Sequence, residues 1–259
     1  MTIAVGIDIG GTGIKGAVVD IATGELLTER MKIATPAGGS PSDILDTVEE
    51  LFGRLGDVAT EVPVGVCFPA IVKNGVTMSA ANVSKDWIGL EAERLFEERL
   101  GRDIHFLNDA DAAGIAEVVY GAARDVPGLV LLTTLGTGIG TALLYNGVLI
   151  PNTELGHLEI GGVDIETVAA VSAREREDLS WTEWVARLQP YYTHLEFLFS
   201  PDLFIVGGGV SKSHEQFLPL ITTRAPMVPA SLRNNAGIMG VAWLSVNDHR
   251  ARYRDSPIA

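Results

Sequence analysis

The sequence predicts an α/β protein of two lobes built from one duplicated unit. Three observations carry that prediction. Residues 8–20, DIGGTGIKGAVVD, follow an apolar strand (Ile3 to Ile9) and lead into a second one. Residues 134–145, TLGTGIGTALLY, repeat the pattern after the apolar run Gly128 to Thr133. Each second strand then meets a Gly-containing turn, Ala22-Thr-Gly24 or Tyr145-Asn-Gly147, ahead of a third strand. Two glycine-tipped hairpins about half a chain apart are the mark of an internal duplication.

The first hairpin contains Gly11-x-Gly13-x-x-Gly16, the spacing of a dinucleotide-binding fingerprint. That fingerprint requires a helix after the glycine turn, with its N-terminus facing the pyrophosphate. Here Lys15 is followed by Gly-Ala-Val-Val-Asp, a β-branched run closed by an Asp20-x-x-Thr23-Gly24 turn. Such a run reads as a strand and a hairpin. The sequence therefore argues against NAD.

The remaining elements follow in order. Asp43 to Leu55 places Ile44, Leu45, Val48, Leu51, Phe52 and Leu55 near helical spacing. Val62 to Phe68 reads as a buried strand, Leu90 to Leu100 as a charged amphipathic helix, and Asp103 to Leu107 as a strand. An alanine-rich helix runs from Ala110 to about Val119. Thr182 to Phe199 is helical, with Pro190 expected to interrupt or kink it. Leu203 to Val206 is a strand ending in Gly207-Gly-Gly209, and Ile238 to Val246 reads as a final helix. The expected division is an N-terminal lobe, residues 1–107, on which a C-terminal helix of about 238–259 packs back, and a second lobe, residues 108–237.

Composition narrows the classes. The 259 residues are 47% hydrophobic, enough for one large domain or two modest ones with real cores. A net charge of -14 argues against a nucleic-acid partner, which calls for a basic surface. A few cations lining a groove still allow a polyanionic small substrate. Cys67 is the only cysteine, which excludes a disulfide framework and a thiolate zinc cluster. The longest apolar runs are strand-sized, so no membrane partner is expected. The first strand opens at Ile3 with no apolar leader ahead of it, and a cytoplasmic protein is expected.

Several constellations carry chemistry. Asn108-Asp109 stands where a strand meets a helix. Both residue types cap helices, and a carboxylate at a strand's C-terminal end can also accept the proton of an attacking hydroxyl. Glu154-Leu-Gly-His157-Leu-Glu159 gathers two carboxylates and an imidazole. It lacks the second histidine of a metalloprotease helix, and it suits a polyol that needs oriented donors and acceptors, or else a solvated loop. Asn82-Val-Ser-Lys85-Asp-Trp87 offers an amide, a cation and an indole that either packs on a sugar face or fills core. Gly10-Gly11-Thr12, Gly136-Thr137-Gly138 and Gly207-Gly208-Gly209 form three glycine turns at strand ends. Their backbone N–H groups, with Thr12, Thr137 and Lys15, can hold phosphate oxygens, although none has the Gly-Lys-Ser/Thr ending of a P-loop.

Taken in order, DIGGTGIK, LNDADAA, LGTGIG, ELGH and the triple-glycine turn resemble the ROK family of sugar kinases, over residues 3 to about 246. The resemblance implies an actin-like (ribonuclease H-like) ATPase fold, two duplicated lobes with a central cleft. Within the family, four segments resemble the actinobacterial polyphosphate glucokinases: residues 81–89 (ANVSKDWIG), 150–162 (IPNTELGHLEIGG), 201–209 (PDLFIVGGG) and 228–238 (VPASLRNNAGI). Many ROK members carry a cysteine-rich zinc loop after the Gly-His pair; this chain continues Gly161-Gly-Val-Asp-Ile-Glu166 without cysteine, as that branch does, so no zinc is expected.

By position, the resemblance makes Asp109 the base for the glucose 6-hydroxyl and Asn82, Asn108, Glu154 and His157 sugar ligands. The family's remaining acidic ligand follows the zinc loop, and Ile165-Glu-Thr-Val-Ala is similar to its setting, which favours Glu166 over Glu159. The donor would lie on Asp8, Gly10, Gly11, Thr12, Lys15, Gly136, Thr137, Gly138, Gly208 and Gly209, with Asp8 holding hydrated Mg²⁺. Lys85, Lys212 and Arg233 are candidates for a polyphosphate track. The expected partners are glucose and polyphosphate and/or ATP, and a homodimer is expected from the resemblance. The alternatives are a strictly ATP-dependent glucokinase or other hexose kinase, a sugar-responsive repressor, which would need a DNA-binding helical domain ahead of Ile3, and a non-catalytic sugar-binding regulator, which would lack the base found at Asp109.

Overall fold

The computed structural model describes residues 1–247; the end of the expected last helix, residues 248–259, lies outside the described residues. Among the described residues the chain forms two compact units, one of Met1–Leu107 joined by 238–247, the other of Asn108–Gly237.

In the first unit, β1 (Ile3–Gly10) and β2 (Gly13–Asp20) pair antiparallel from Ile3↔Asp20 to Gly10↔Gly13. The glycine segment is thus a hairpin tip, and no helix follows it. The third strand, β3 (Met31–Ile33), lies later than the sequence suggests. Glu25 to Leu27 makes only a single bridge, Val19↔Leu26. The Thr28 hydroxyl takes the N–H of Val18 at 3.1 Å, where a ladder would need a backbone carbonyl, and pairing resumes only at Met31. Next come α1 (Pro41–Arg54), β4 (Val64–Phe68), a two-residue hairpin of β5 (Val72–Lys73) and β6 (Val76–Thr77), α2 (Ala92–Leu100) and β7 (His105–Asn108). Helix α1 starts where Ser40 accepts the Asp43 N–H, with Pro41 at the first helical position. The sheet order is β3-β2-β1-β4-β7, with β4 parallel to β1.

The second unit begins with α3 (Asp109–Tyr120), then β8 (Leu129–Leu135), β9 (Ile139–Tyr145) and β10 (Val148–Ile150). A small hairpin of β11 (Glu159–Ile160) and β12 (Val163–Asp164) leads to α4 (Ile165–Ala169) and α5 (Val171–Arg176). Helix α6 (Trp181–Phe199), β13 (Leu203–Gly207) and β14 (Met227–Pro229) complete it. Its sheet order, β10-β9-β8-β13-β14, repeats that of the first unit strand for strand: an antiparallel meander of three, then two more beyond its first strand. The duplication read from the two hairpins is therefore a duplication of whole sheets.

Helix α6 runs through Pro190 as one element, so the proline does not interrupt it. Pro190 sits on the exposed side, where water can take the carbonyl it leaves without a donor. Trp184, Leu188, Tyr191, Tyr192 and Leu195 are buried and anchor the helix on both sides of the proline. Helix α7 (Ala236–Asn247) packs against β1 and β4 so closely that side chains at Gly6 and Gly65 would strike its backbone. No helix among the described residues is long and apolar enough to cross a membrane.

Candidate active site

The first unit gathers its candidate residues at the β1–β2 tip. Asp8 and Lys15 are cross-strand partners, and Lys15 Nζ lies 3.0 Å from Asp8 Oδ2 with both side chains mostly covered. Lys32, opposite Lys15 on β3, lays its stem over the turn: a Cβ on Gly13 would stand 2.5 Å from Lys32 Cε. Two lysines therefore flank the glycine tip where the sequence reading named one. Asn82 lies directly against Gly11, 2.9 Å from where a Cβ would be. On the same loop, Lys85 Nζ donates to the Ala80 carbonyl at 2.6 Å and remains exposed. The structure thus gathers Asp8, Gly10, Gly11, Thr12, Lys15 and Asn82. Trp87 resolves to core: it is fully buried, its Nε1 donates to Gly39 O at 3.0 Å, and its ring stacks on Phe96 with centroids 5.8 Å apart.

In the second unit the parts converge on the first residues of β9. Asn108 caps α3, its Oδ1 accepting from the Ala110 and Asp111 N–H groups at 2.8 and 3.0 Å. Asp109 Oδ1 accepts from the same Ala110 N–H at 2.8 Å. Asp111 Oδ2 accepts from Asn152 N–H at 2.8 Å, which ties the first turn of α3 to the Glu154 loop. That loop becomes a 3₁₀ turn, Leu155–His157. Its glycine is obligatory, since a Cβ on Gly156 would run into the Ile139 carbonyl. From the other side Glu166 Oε2 accepts from the Ile139 N–H at 2.7 Å. Asn108, Asp109, Glu154, His157 and Glu166 are thus all carried on segments pinned to one another or to β9.

Electrostatics link the acids and the imidazole. Burial pushes the Glu154 carboxyl up from its usual range; the nearby Glu166 adds to that and His157 opposes it. The His157 imidazole is raised as well, chiefly by its 2.9 Å hydrogen bond from Nδ1 to Asp164 Oδ2, with Glu166 and Glu154 contributing. Glu159, the other candidate, faces outward on β11 opposite Asp164. Sequence reasoning passed over Asp164, whose only signal was its position just ahead of a short helix.

The two glycine turns of this unit share an edge. Strands β8 and β13 run parallel with Gly207 opposite Thr134, so Gly136-Thr137-Gly138 and Gly208-Gly209 leave the same end of the sheet. Gly208 has φ +83° and lies against the Leu135 backbone, a place only glycine can occupy. Ser172 clamps the first of these turns, its N–H on Gly136 O at 3.2 Å and its hydroxyl on Thr137 O at 2.6 Å. Lys212 and Arg233 are exposed on two packed 3₁₀ segments, Gly209–Gln216 and Arg233–Asn235.

Among the described residues no group of three or more His, Cys, Asp or Glu side chains stands ready to hold a metal. A single carboxylate beside a glycine turn, as at Asp8, nevertheless fits Mg²⁺, which keeps most of its waters and takes its other ligands from phosphate.

Two sheets of the same strand order, with glycine turns at corresponding strand ends, define the actin-like ATPase fold. The chain belongs to the ROK family, whose model matches residues 4–172. It is 46% identical to the polyphosphate glucokinase of Mycobacterium tuberculosis (strain CDC 1551 / Oshkosh), over 94% of this chain and 91% of that protein. Among solved structures it is similar to the inorganic polyphosphate/ATP-glucomannokinase from Arthrobacter sp. strain KM, with a TM-score of 0.93 and 50% identity, covering 96% of this chain and 100% of that one. A ROK family glucokinase from Streptomyces griseus, in complex with glucose and AMPPNP, matches with a TM-score of 0.81 and 25% identity, over 93% of this chain and 98% of that one.

Proposed function

We propose that this protein is a polyphosphate glucokinase: it transfers the terminal phosphoryl group of inorganic polyphosphate, and of ATP, to the 6-hydroxyl of glucose. The observation that carries this reading is the 46% identity to a polyphosphate glucokinase over nearly the whole chain. The site geometry agrees with it. Asp109, at the head of α3, accepts the proton of the 6-hydroxyl as its oxygen attacks the terminal phosphorus and the bond to the rest of the donor breaks. Asn82, Asn108, Glu154, His157 and Glu166 orient the sugar hydroxyls; the links of Glu166 to Glu154 and His157 favour it over Glu159. The turns at Gly10-Gly11-Thr12, Gly136-Thr137-Gly138 and Gly208-Gly209 hold donor phosphates through backbone N–H groups, aided by Lys15.

Kinases of this kind use a divalent metal. That metal would be Mg²⁺: Asp8 would hold it through water, and it would neutralise phosphate charge. Lys85, Lys212 and Arg233, with Lys32 beside the first turn, supply cations for a donor longer than ATP.

Glucose phosphorylation by the purified protein, with ATP or long-chain polyphosphate over a range of salt, tests the reading. A long polyanion releases many counter-ions on binding, so its reaction falls more steeply with salt than that of ATP. Polyphosphate activity is expected to exceed ATP activity at low salt, and Lys85→Ala to weaken the polyphosphate reaction more. Activity with ATP and none with polyphosphate at any salt would refute it and leave an ATP-dependent glucokinase. The Arthrobacter protein is by name a glucomannokinase, so mannose is the second sugar to assay.

A further inference from the structure

We infer that Asp164 is a positioning residue that sets the orientation and tautomer of His157 and, through the same carboxylate, the register of Glu166. The inference rests on the reading above that His157 and Glu166 bind the sugar. Asp164 uses both of its oxygens. Oδ2 meets His157 Nδ1 at 2.9 Å, while Oδ1 accepts the backbone N–H of Glu166 at 3.0 Å.

The two side chains it joins stand on separate segments, the 3₁₀ turn Leu155–His157 and the five-residue α4. Between them lies a hairpin of two-residue strands, with Gly161 and Gly162 both at positive φ at its tip. So small a hairpin has little stability of its own. The carboxylate supplies a direct link across it, and Thr167 reinforces the helix start by donating to the Asp164 carbonyl at 2.7 Å.

The chemical consequence is specific. A carboxylate only accepts, so Nδ1 must carry a proton, and in the neutral ring Nε2 is then the acceptor. A hydroxyl approaching Nε2 finds a fixed acceptor on a ring that cannot flip without breaking the Asp164 bond. Glu154 and Glu166 also face the imidazole electrostatically, but the contact at Nδ1 comes from Asp164.

Asp164→Asn tests this with little change of shape. Its amide oxygen can still cap Glu166, but its NH₂ would donate to Nδ1 and move the ring proton to Nε2. The expected result is a rise of about tenfold in glucose KM, the worth of one hydrogen bond to a charged group, with donor KM unchanged. Nitrogen NMR of the imidazole should report the change of tautomer and a fall in the His157 pKa. In a His157→Ala background the same substitution should add almost nothing, because its effect runs through the ring. An unchanged tautomer, or an equal further loss in that background, would overturn the inference. Unchanged glucose affinity in His157→Ala alone, with the NMR response to Asp164→Asn intact, would instead remove the sugar-binding reading while leaving the Asp164–His157 coupling in place.

Discussion

Replacing Asp109 by Asn separates a chemical role from a structural one, because the structure shows which of its duties another residue already performs. The Ala110 N–H has two acceptors, Asn108 Oδ1 and Asp109 Oδ1, each at 2.8 Å, and Asn108 Oδ1 also takes the Asp111 N–H. An amide at position 109 can still accept from Ala110, so the cap survives. What is lost in stability is one charge in the first turn, about 0.3–1 kcal/mol, with Asp111 still there to face the helix dipole. A loss of that size shifts Tm by no more than about 2–4 °C in a protein of this length. What is lost in chemistry is the proton acceptor, about 10²–10⁴ in turnover, or roughly 3–5 kcal/mol of transition-state stabilisation. The assay is glucose 6-phosphate formation coupled to its dehydrogenase, run beside a glucose titration by calorimetry and a thermal melt. Turnover should fall by at least about a hundredfold with glucose binding and melting largely retained. Asn108→Ala should do the reverse to stability, removing the cap at a cost of about 0.5–2 kcal/mol. Near-normal turnover in Asp109→Asn, or a loss matched by unfolding, would refute the assignment and leave Asp109 a helix-start residue.

Other outcomes follow from the same geometry. His157→Ala and Glu154→Ala should each weaken glucose binding by about 1–3 kcal/mol, roughly 5- to 150-fold in Kd, read by calorimetry; unchanged affinity in both would return the loop to plain solvated surface. The Glu154 carboxyl is raised in the folded state, so its ionisation disfavours folding, and its stability contribution falls as pH climbs from 4.5 through the folded value. Glu154→Gln should therefore melt higher than the parent at pH 8, with the gain gone below about pH 4.5; a gain that persists in acid would place its origin elsewhere. Trp87→Phe removes the bond to Gly39 and leaves a void, so denaturant unfolding should show a loss of about 1–3 kcal/mol with glucose affinity unchanged. Retained stability with weakened glucose binding would move the indole from the core to the sugar.

Local signals determined a good deal of this protein. Alternating and β-branched runs, glycine turns and cap residues depend on neighbours within a few positions, and they placed the paired hairpins, the strand ahead of each glycine turn and the start of α3. The ordered motifs also named Asp109, Glu154 and His157, because each stands beside a turn or cap that is itself legible. Other features depended on partners far along the chain. Whether Trp87 met sugar or core was decided by Gly39 and Phe96, and the continuity of α6 past Pro190 by the buried face of the helix. The late start of β3 was decided by a Thr28 hydroxyl standing in for a backbone acceptor. Glu166 and Asp164 are the clearest case. The sequence setting already favoured Glu166, but its hold on the Ile139 N–H spans 27 residues, and a hairpin folds Asp164 back onto His157. Neither contact has a period or a spacing in the sequence; each exists only once β9, the 3₁₀ turn and α4 have packed together.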